Sequence, residues 1–152
     1  MTKILLTGSA GYIGSTLTYE FLKMNHLVHG LDNYSRSSNL STRVLSKLFP
    51  ETYSFTKLDL SLDLNPLEKL LQTFLPEIVV HLAGLKSVSE SETNKALYWR
   101  NNVSSTANLL ETMVKTNCRK LIFSSSASVY GDMKEKPASE TSSCIPISTY
   151  GK

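Results

Sequence analysis

The stretch Thr7-Gly8-Ser9-Ala10-Gly11-Tyr12-Ile13-Gly14 spaces three glycines as G-x-x-G-x-x-G between the apolar run Ile4-Leu5-Leu6 and a helical pattern beginning at Tyr12. Glycines at a strand-to-helix turn allow positive φ and let backbone N–H groups approach a diphosphate at the positive end of the helix. Asp32 follows the second apolar run, Leu27–Leu31, where a carboxylate accepts from ribose hydroxyls and repels a 2′-phosphate. Together these residues argue for a dinucleotide, and for NAD over NADP. Arg36 lies close enough to receive a 2′-phosphate, so it pulls the other way.

The elements that must hold these groups alternate in type. Short apolar runs at Ile4–Leu6, Leu27–Leu31, Tyr53–Leu58, Ile78–Leu82 and Lys120–Phe123 read as strands. Between them lie helical patterns. One runs from Tyr12 to Met24 with Ile13, Leu17, Phe21 and Met24 on one side. Another is marked by Leu40, Val44, Leu45 and Leu48 and ended by Pro50. A third opens with the cap-then-proline pair Asn65-Pro66 and carries Leu67, Leu70, Leu71 and Phe74. A long helix is expected over about Asn94 to Lys115, its stripe Val103, Ala107, Leu110, Val114 against the sheet and Trp99, Thr106, Leu109, Met113 facing elsewhere. Residues 131–148 read as a polar loop over the sheet's edge. The pattern predicts an α/β fold with a doubly wound parallel sheet, Rossmann-like, whose ligands bind beyond the carboxyl ends of the strands.

Composition narrows the partners. The chain has 152 residues, 41% hydrophobic and 19% charged, with a net charge of +3. That is the make-up of a soluble globular domain. The basic residues are scattered, which argues against nucleic acid. No apolar run is long enough to span a bilayer, and the segment before Gly8 is too short for a signal peptide. A cytoplasmic protein with Cys118 and Cys144 reduced is expected. Those cysteines and His26, His29 and His81 show no metal-ligand spacing, so no metal site is expected.

At this point the residues resemble a known family, the extended short-chain dehydrogenase/reductases, and within it the UDP-glucose 4-epimerases. The resemblance runs from Lys3 to Lys152. It is carried by the glycine turn, Leu31-Asp32-Asn33, His81 to Ser91, Asn101-Asn102-Val103, and Phe123-Ser124-Ser125-Ser126-Ala127-Ser128-Val129-Tyr130-Gly131-Asp132. It implies that Gly8, Gly11, Gly14, Tyr12 and Ile13 surround the pyrophosphate. Asp32, Asn33, Tyr34, Ser35, Arg36 and Ser37 would surround the adenosine ribose. Asp59 would accept from the adenine amino group with Leu60 beside it, and Leu82, Ala83 and Gly84 would offer bare backbone. Lys86 would donate to the nicotinamide ribose, with Asn101 and Ser124 as further cofactor contacts.

The resemblance also implies a reaction: hydride leaves sugar C4 for NAD, the 4-keto sugar rotates, and hydride returns to its other face, interconverting UDP-glucose and UDP-galactose. Tyr150 is the implied base for the C4 hydroxyl, and Ser126 would hydrogen-bond the same oxygen; both would also bind substrate. Free tyrosine, with a pKa of about 10, needs a nearby positive charge to act as a base at neutral pH. The partner lysine one helical turn on falls beyond Lys152. The chain is therefore expected to be the cofactor-binding part of a longer protein, ending before the last strand or strands and before the substrate domain. The family's dimer uses the long helix, so a homodimeric parent is implied, with the Trp99 stripe as its face. Two other readings stay open: another NAD-dependent sugar-nucleotide epimerase or dehydratase, or a catalytically inactive NAD-binding module.

Overall fold

Strands form where apolar residues run unbroken, because both faces of the sheet are covered. The computed structural model describes residues 1–62, 64–133 and 137–152. In it β1 (Lys3–Thr7), β2 (Leu27–Asp32), β3 (Tyr53–Lys57), β4 (Ile78–His81) and β5 (Leu121–Phe123) form one parallel sheet in the order β3-β2-β1-β4-β5. The order reverses beside β1, which lies between β2 and β4. The crevice at the carboxyl ends of β1 and β4 is where such a sheet receives ligands. Successive strand residues point to opposite faces. Leu5, Leu31 and Val79 pack on one face with Leu67, Leu71, Leu109 and Met113, while Ile4, Leu6, Val28 and Val80 pack on the other with Leu22 and Leu45.

Helices α1 (Tyr12–Lys23) and α2 (Leu40–Leu48) cover one face; α3 (Asn65–Phe74) and α6 (Ser105–Lys115) cover the other. The buried stripe of α3 is the expected one, Leu67 and Leu71 with Leu70 packed beside them, but those of α1, α2 and α6 depart from the expected ones. On α1 the buried positions are Gly14, Thr18 and Leu22, flanked by Leu17 and Phe21, while Ile13 and Met24 are exposed. Thr18 tolerates burial because its hydroxyl donates to Gly14 O at 2.8 Å. On α2, Thr42 and Leu45 are buried and Leu40, Val44 and Leu48 are exposed. Thr42 is likewise satisfied, donating to Asn39 O and meeting the Tyr34 hydroxyl at 2.8 Å.

The long helix is three contiguous pieces: α5 (Lys95–Tyr98), a π-helical turn (Trp99–Ser104) and α6. Trp99 is exposed as expected, but from Val103 onward the expected stripes are reversed: Ser105, Leu109, Thr112 and Met113 are buried, whereas Val103, Leu110 and Val114 are exposed. Small hydroxyl residues let α6 lie close to the sheet, with Ser105 and Thr112 hydroxyls bonded to Asn101 O and Asn108 O. Counting apolar residues alone missed this. A further helix, α4 (Val88–Thr93), was not expected. Its signal was Ser87-x-x-Glu90, the pattern of a capping box.

Among the described residues β5 pairs with β4 alone, and Ile122 and Phe123 are 57% and 54% exposed. Beyond it a 3-10 turn (Ala127–Tyr130) leads into the polar segment, of which residues 134–136 lie outside the described residues. Gly131, at φ 72°, and Gly151 are packed tightly: a Cβ would come 2.0 Å from Ile145 O at the first and 2.5 Å from Ser128 O at the second. Cys118 is buried, its thiol donating to Pro76 O, and Cys144 is exposed; both are free.

Candidate functional site

The glycine turn is built from backbone. Gly8 N and Ser9 N donate to Leu31 O at 2.8 and 3.2 Å, tying the turn to β2. Gly8 sits at φ 72°, and a Cβ there would lie 2.7 Å from Ala83 N, so the turn is wedged against the chain leaving β4. A Cβ on Gly14 would lie 2.1 Å from Gly8 O, so only glycine lets α1 start this close to the turn. Gly11, which lines the cleft, has little beside it: an added Cβ would meet only Gly8 O, at 3.3 Å. The start of α1 has no side-chain cap and no acidic residue in its first turn. Its positive end and its free N–H groups are thus left for an anion.

Asp32 organises the next wall. Its carboxylate accepts from Ala10 N at 3.0 Å, Tyr34 N at 2.8 Å and Ser37 Oγ at 3.1 Å. A carboxylate has about four acceptor positions, so room for one more donor remains. Asn33 Nδ2 donates to Asp59 Oδ2 at 3.0 Å, and Ser61 gives Asp59 Oδ1 both its N–H and its hydroxyl. Burial pushes the Asp59 carboxyl up, but those bonds from Ser61 and Asn33, with the charge of Arg100, outweigh it and hold it below the usual carboxylate range. Arg36 lines the cleft, and its guanidinium is paired with the Glu90 carboxylate of α4.

The opposite wall follows β4. Leu85 N donates to Asn102 Oδ1 and Asn102 Nδ2 to Leu85 O, both at 2.8 Å, which clamps this loop to the π-helical turn. Asn101, from the same turn, lines the cleft while donating to Leu97 O at 2.9 Å. Such π-helical turns often occur where a side chain must be re-aimed at a site. Behind the wall, the His81 ring lies between Thr7 Oγ1, 2.6 Å from Nδ1, and Thr106 Oγ1, 3.0 Å from Nε2. Thr106 spends its own proton on Asn102 O, so Nε2 carries the imidazole hydrogen. Burial pushes the His81 pKa from 6.5 to about 4, leaving it a neutral spacer. His29 is lowered to about 4 by burial as well, between Ser54 and Thr56.

The cleft therefore brings together Gly8 and Gly11 with Asp32, Asn33, Ser35, Arg36 and Ser37. Asp59, Leu60, Leu82, Ala83, Gly84 and Asn101 line it too. Other expected contacts stand apart from its lining. The side chains of Tyr12 and Ile13 are exposed, Tyr12 to 89%, and Gly14 is buried behind the turn. Tyr34 is turned away, stacked on Phe55 and bonded to Thr42. Lys86 and Ser124 are exposed, and the Ser124 N–H donates to His81 O. Sequence reasoning missed Leu31, Leu58, Leu85 and Ser105. The first three adjoin residues that were named, and Ser105 needed knowledge of which face α6 turns inward.

Ser126 and Tyr150 lie outside this cleft. The Ser126 Oγ accepts from Ser128 N at 3.2 Å, capping the 3-10 turn. Tyr150 N donates to Ser91 Oγ at 3.1 Å, the Thr149 hydroxyl donates to Glu92, and the Tyr150 ring meets Tyr98 edge-on at 6.4 Å. Gly151 rests against Ser128 O, so the turns bearing Ser126 and Tyr150 touch. No group of three or more metal-ligating residues is found among the described residues.

This chain is similar to known proteins along nearly all of its length. The profile of the NAD dependent epimerase/dehydratase family matches residues 4–152. UDP-glucose 4-epimerase 2 of Oryza sativa subsp. japonica is 42% identical over 152 residues, covering 98% of this chain and 37% of the relative. The structure of the UDP-Glc/GlcNAc 4-epimerase of Campylobacter jejuni superposes with a TM-score of 0.93 at 38% identity, over 99% of this chain and 45% of that one. UDP-glucose 4-epimerase of Bifidobacterium longum, in complex with NAD+ and UDP, gives 0.92 at 35% identity, again over 99% and 45%. The chain thus spans less than half the length of these relatives.

Proposed function

Because the chain belongs to the NAD dependent epimerase/dehydratase family, we propose that residues 1–152 are the NAD-binding part of an enzyme interconverting UDP-glucose and UDP-galactose through a 4-keto sugar. The observation that carries the reading is the uncapped start of α1 beside Gly11, facing a carboxylate, Asp32, with one acceptor position left. The first suits a diphosphate and the second a ribose hydroxyl, so the residues present fit NAD. When bound, NAD supplies a reversible hydride acceptor for sugar C4. Asp59, kept ionised, accepts from the adenine amino group. Asn101 and the bare backbone at Ala83 and Gly84 would hold the other half of the cofactor, and Lys86, exposed and next to the lining residue Leu85, would donate to its second ribose. Tyr150 takes the C4 hydroxyl proton while Ser126 holds the same oxygen.

The partner reading keeps Trp99 from the expected face and replaces the buried Leu109 and Met113 by exposed positions farther along the helix. Trp99, Val103, Leu110 and Val114 offer a second copy of the chain an apolar helix face. Leu110→Lys is expected to shift sedimentation of the whole protein toward monomer; an unchanged profile refutes this face. No helix among the described residues is long and apolar enough to cross a membrane. The free thiols of Cys118 and Cys144 support a cytoplasmic setting.

The deciding experiment titrates the polypeptide with NADH by fluorescence and separately assays conversion of UDP-galactose. Failure to bind NADH refutes the proposal at its root. Binding without turnover by this polypeptide assigns it the cofactor step alone.

A further inference from the structure

Among the described residues lining the cleft, Arg36 is the one whose charge favours a 2′-phosphate, and its guanidinium is already engaged by Glu90 of α4, far away in sequence. The engagement is built rather than incidental. Ser87 and Glu90 have the spacing of a capping box, in which the glutamate would turn back to the Ser87 backbone N–H. Here the Ser87 Oγ still accepts from Glu90 N at 3.3 Å, but the Ser87 N–H donates to the Tyr98 hydroxyl at 3.0 Å. Tyr98 in turn donates to Glu90 Oε2 at 3.0 Å, which leaves Oε1 for Arg36. Tyr98 is buried at the end of α5, so this relay is anchored in the fold.

We infer that Glu90 is a cofactor-specificity residue: it holds Arg36 away from the 2′-phosphate position and so keeps the site selective for NAD. The inference rests on the proposed NAD reading and deepens it. Asp32 excludes the phosphate by repulsion; Glu90 withdraws the arginine that, among the described residues lining the cleft, would offset that repulsion. An arginine freed by loss of its carboxylate partner regains a bidentate donor pair for phosphate.

The test measures NADH and NADPH binding by fluorescence titration for the wild type, Glu90→Gln, Arg36→Gln and the double variant. Glu90→Gln is expected to shift the affinity ratio toward NADPH by about tenfold, the scale of one hydrogen bond to a charged group set against the remaining repulsion from Asp32. The double variant should lose that gain. Arg36→Gln alone should leave the ratio unchanged, because the paired arginine contributes nothing to phosphate binding. Adding salt should weaken NADPH binding to Glu90→Gln more than NADH binding, because the 2′-phosphate adds a further screened charge pair. A ratio within twofold of wild type in Glu90→Gln, with NADH still bound, overturns the inference. So does a selective loss of NADPH in Arg36→Gln, a measurement that stands even if Glu90→Gln folds poorly. Failure of the wild type to bind NADH would instead refute the NAD reading.

Discussion

Replacing Asp32 by asparagine separates the two duties assigned to that side chain. Its carboxylate accepts from Ala10 N, Tyr34 N and Ser37 Oγ, at 3.0, 2.8 and 3.1 Å, in a position that is only 9% exposed. An amide keeps one oxygen. With that oxygen toward Tyr34 and Ser37, the new NH2 confronts Ala10 N; flipped, it confronts Tyr34 N. Either way a buried donor faces another donor, which costs about 1–3 kcal/mol, and the surviving bonds lose their charge assistance. The expected loss is about 2–4 kcal/mol. Urea denaturation followed by circular dichroism should show it as a lower midpoint at unchanged slope. NADH affinity should fall about tenfold, since a bond to a charged acceptor exceeds a neutral one by roughly 1–1.5 kcal/mol. NADPH should lose less, because the repulsion goes too. An unchanged midpoint would refute the role given to Asp32 in the turn. Equal losses for the two cofactors would refute its role in selection.

Gly14→Ala should abolish NADH binding and destabilise the fold by about 1–3 kcal/mol or more, because the Cβ would lie 2.1 Å from backbone at Gly8; differential scanning calorimetry beside the titration checks both. Stability should also fall on acidification from pH 6.5 to 4. His29 and His81 bind protons at 6.5 when unfolded but only near 4 when folded, so the unfolded state gains protons first. Each imidazole then removes up to about 3 kcal/mol, at roughly 1.4 kcal/mol per pH unit. Urea midpoints measured across that range test the sign, and a flat profile rejects it. The 152-residue polypeptide, with Ile122 and Phe123 exposed on an edge strand, should self-associate in light scattering; Ile122→Lys should reduce this, and a monodisperse wild type would contradict it.

Much of the architecture was legible because local chemistry dictates it. Unbroken apolar runs at Ile4–Leu6 and Ile78–His81 have few uses other than strands covered on both faces, and a glycine turn between strand and helix has a narrow set of ligands. The choice of an acid at Asp32, and hence the argument for NAD, also came from residue type and position. Helix faces were less legible. Thr18, Thr42, Ser105 and Thr112 are buried with satisfied hydroxyls, while apolar Ile13, Leu40 and Val103 face outward. Hydropathy cannot rank a satisfied threonine above an exposed valine, because the satisfying carbonyl belongs to the folded backbone.

The sequence by itself thus determined the sheet, the turn and the acid beside it, since each depends on residues adjacent in the chain. Only the tertiary structure decided which neighbours complete the site. It placed Asn102 on the Leu85 backbone, turned Ser105 into the cleft lining, and joined Arg36 to Glu90. In each case the partners are distant along the chain or depend on helical phase. Their meeting is fixed by how the sheet and helices pack, and no local pattern records that.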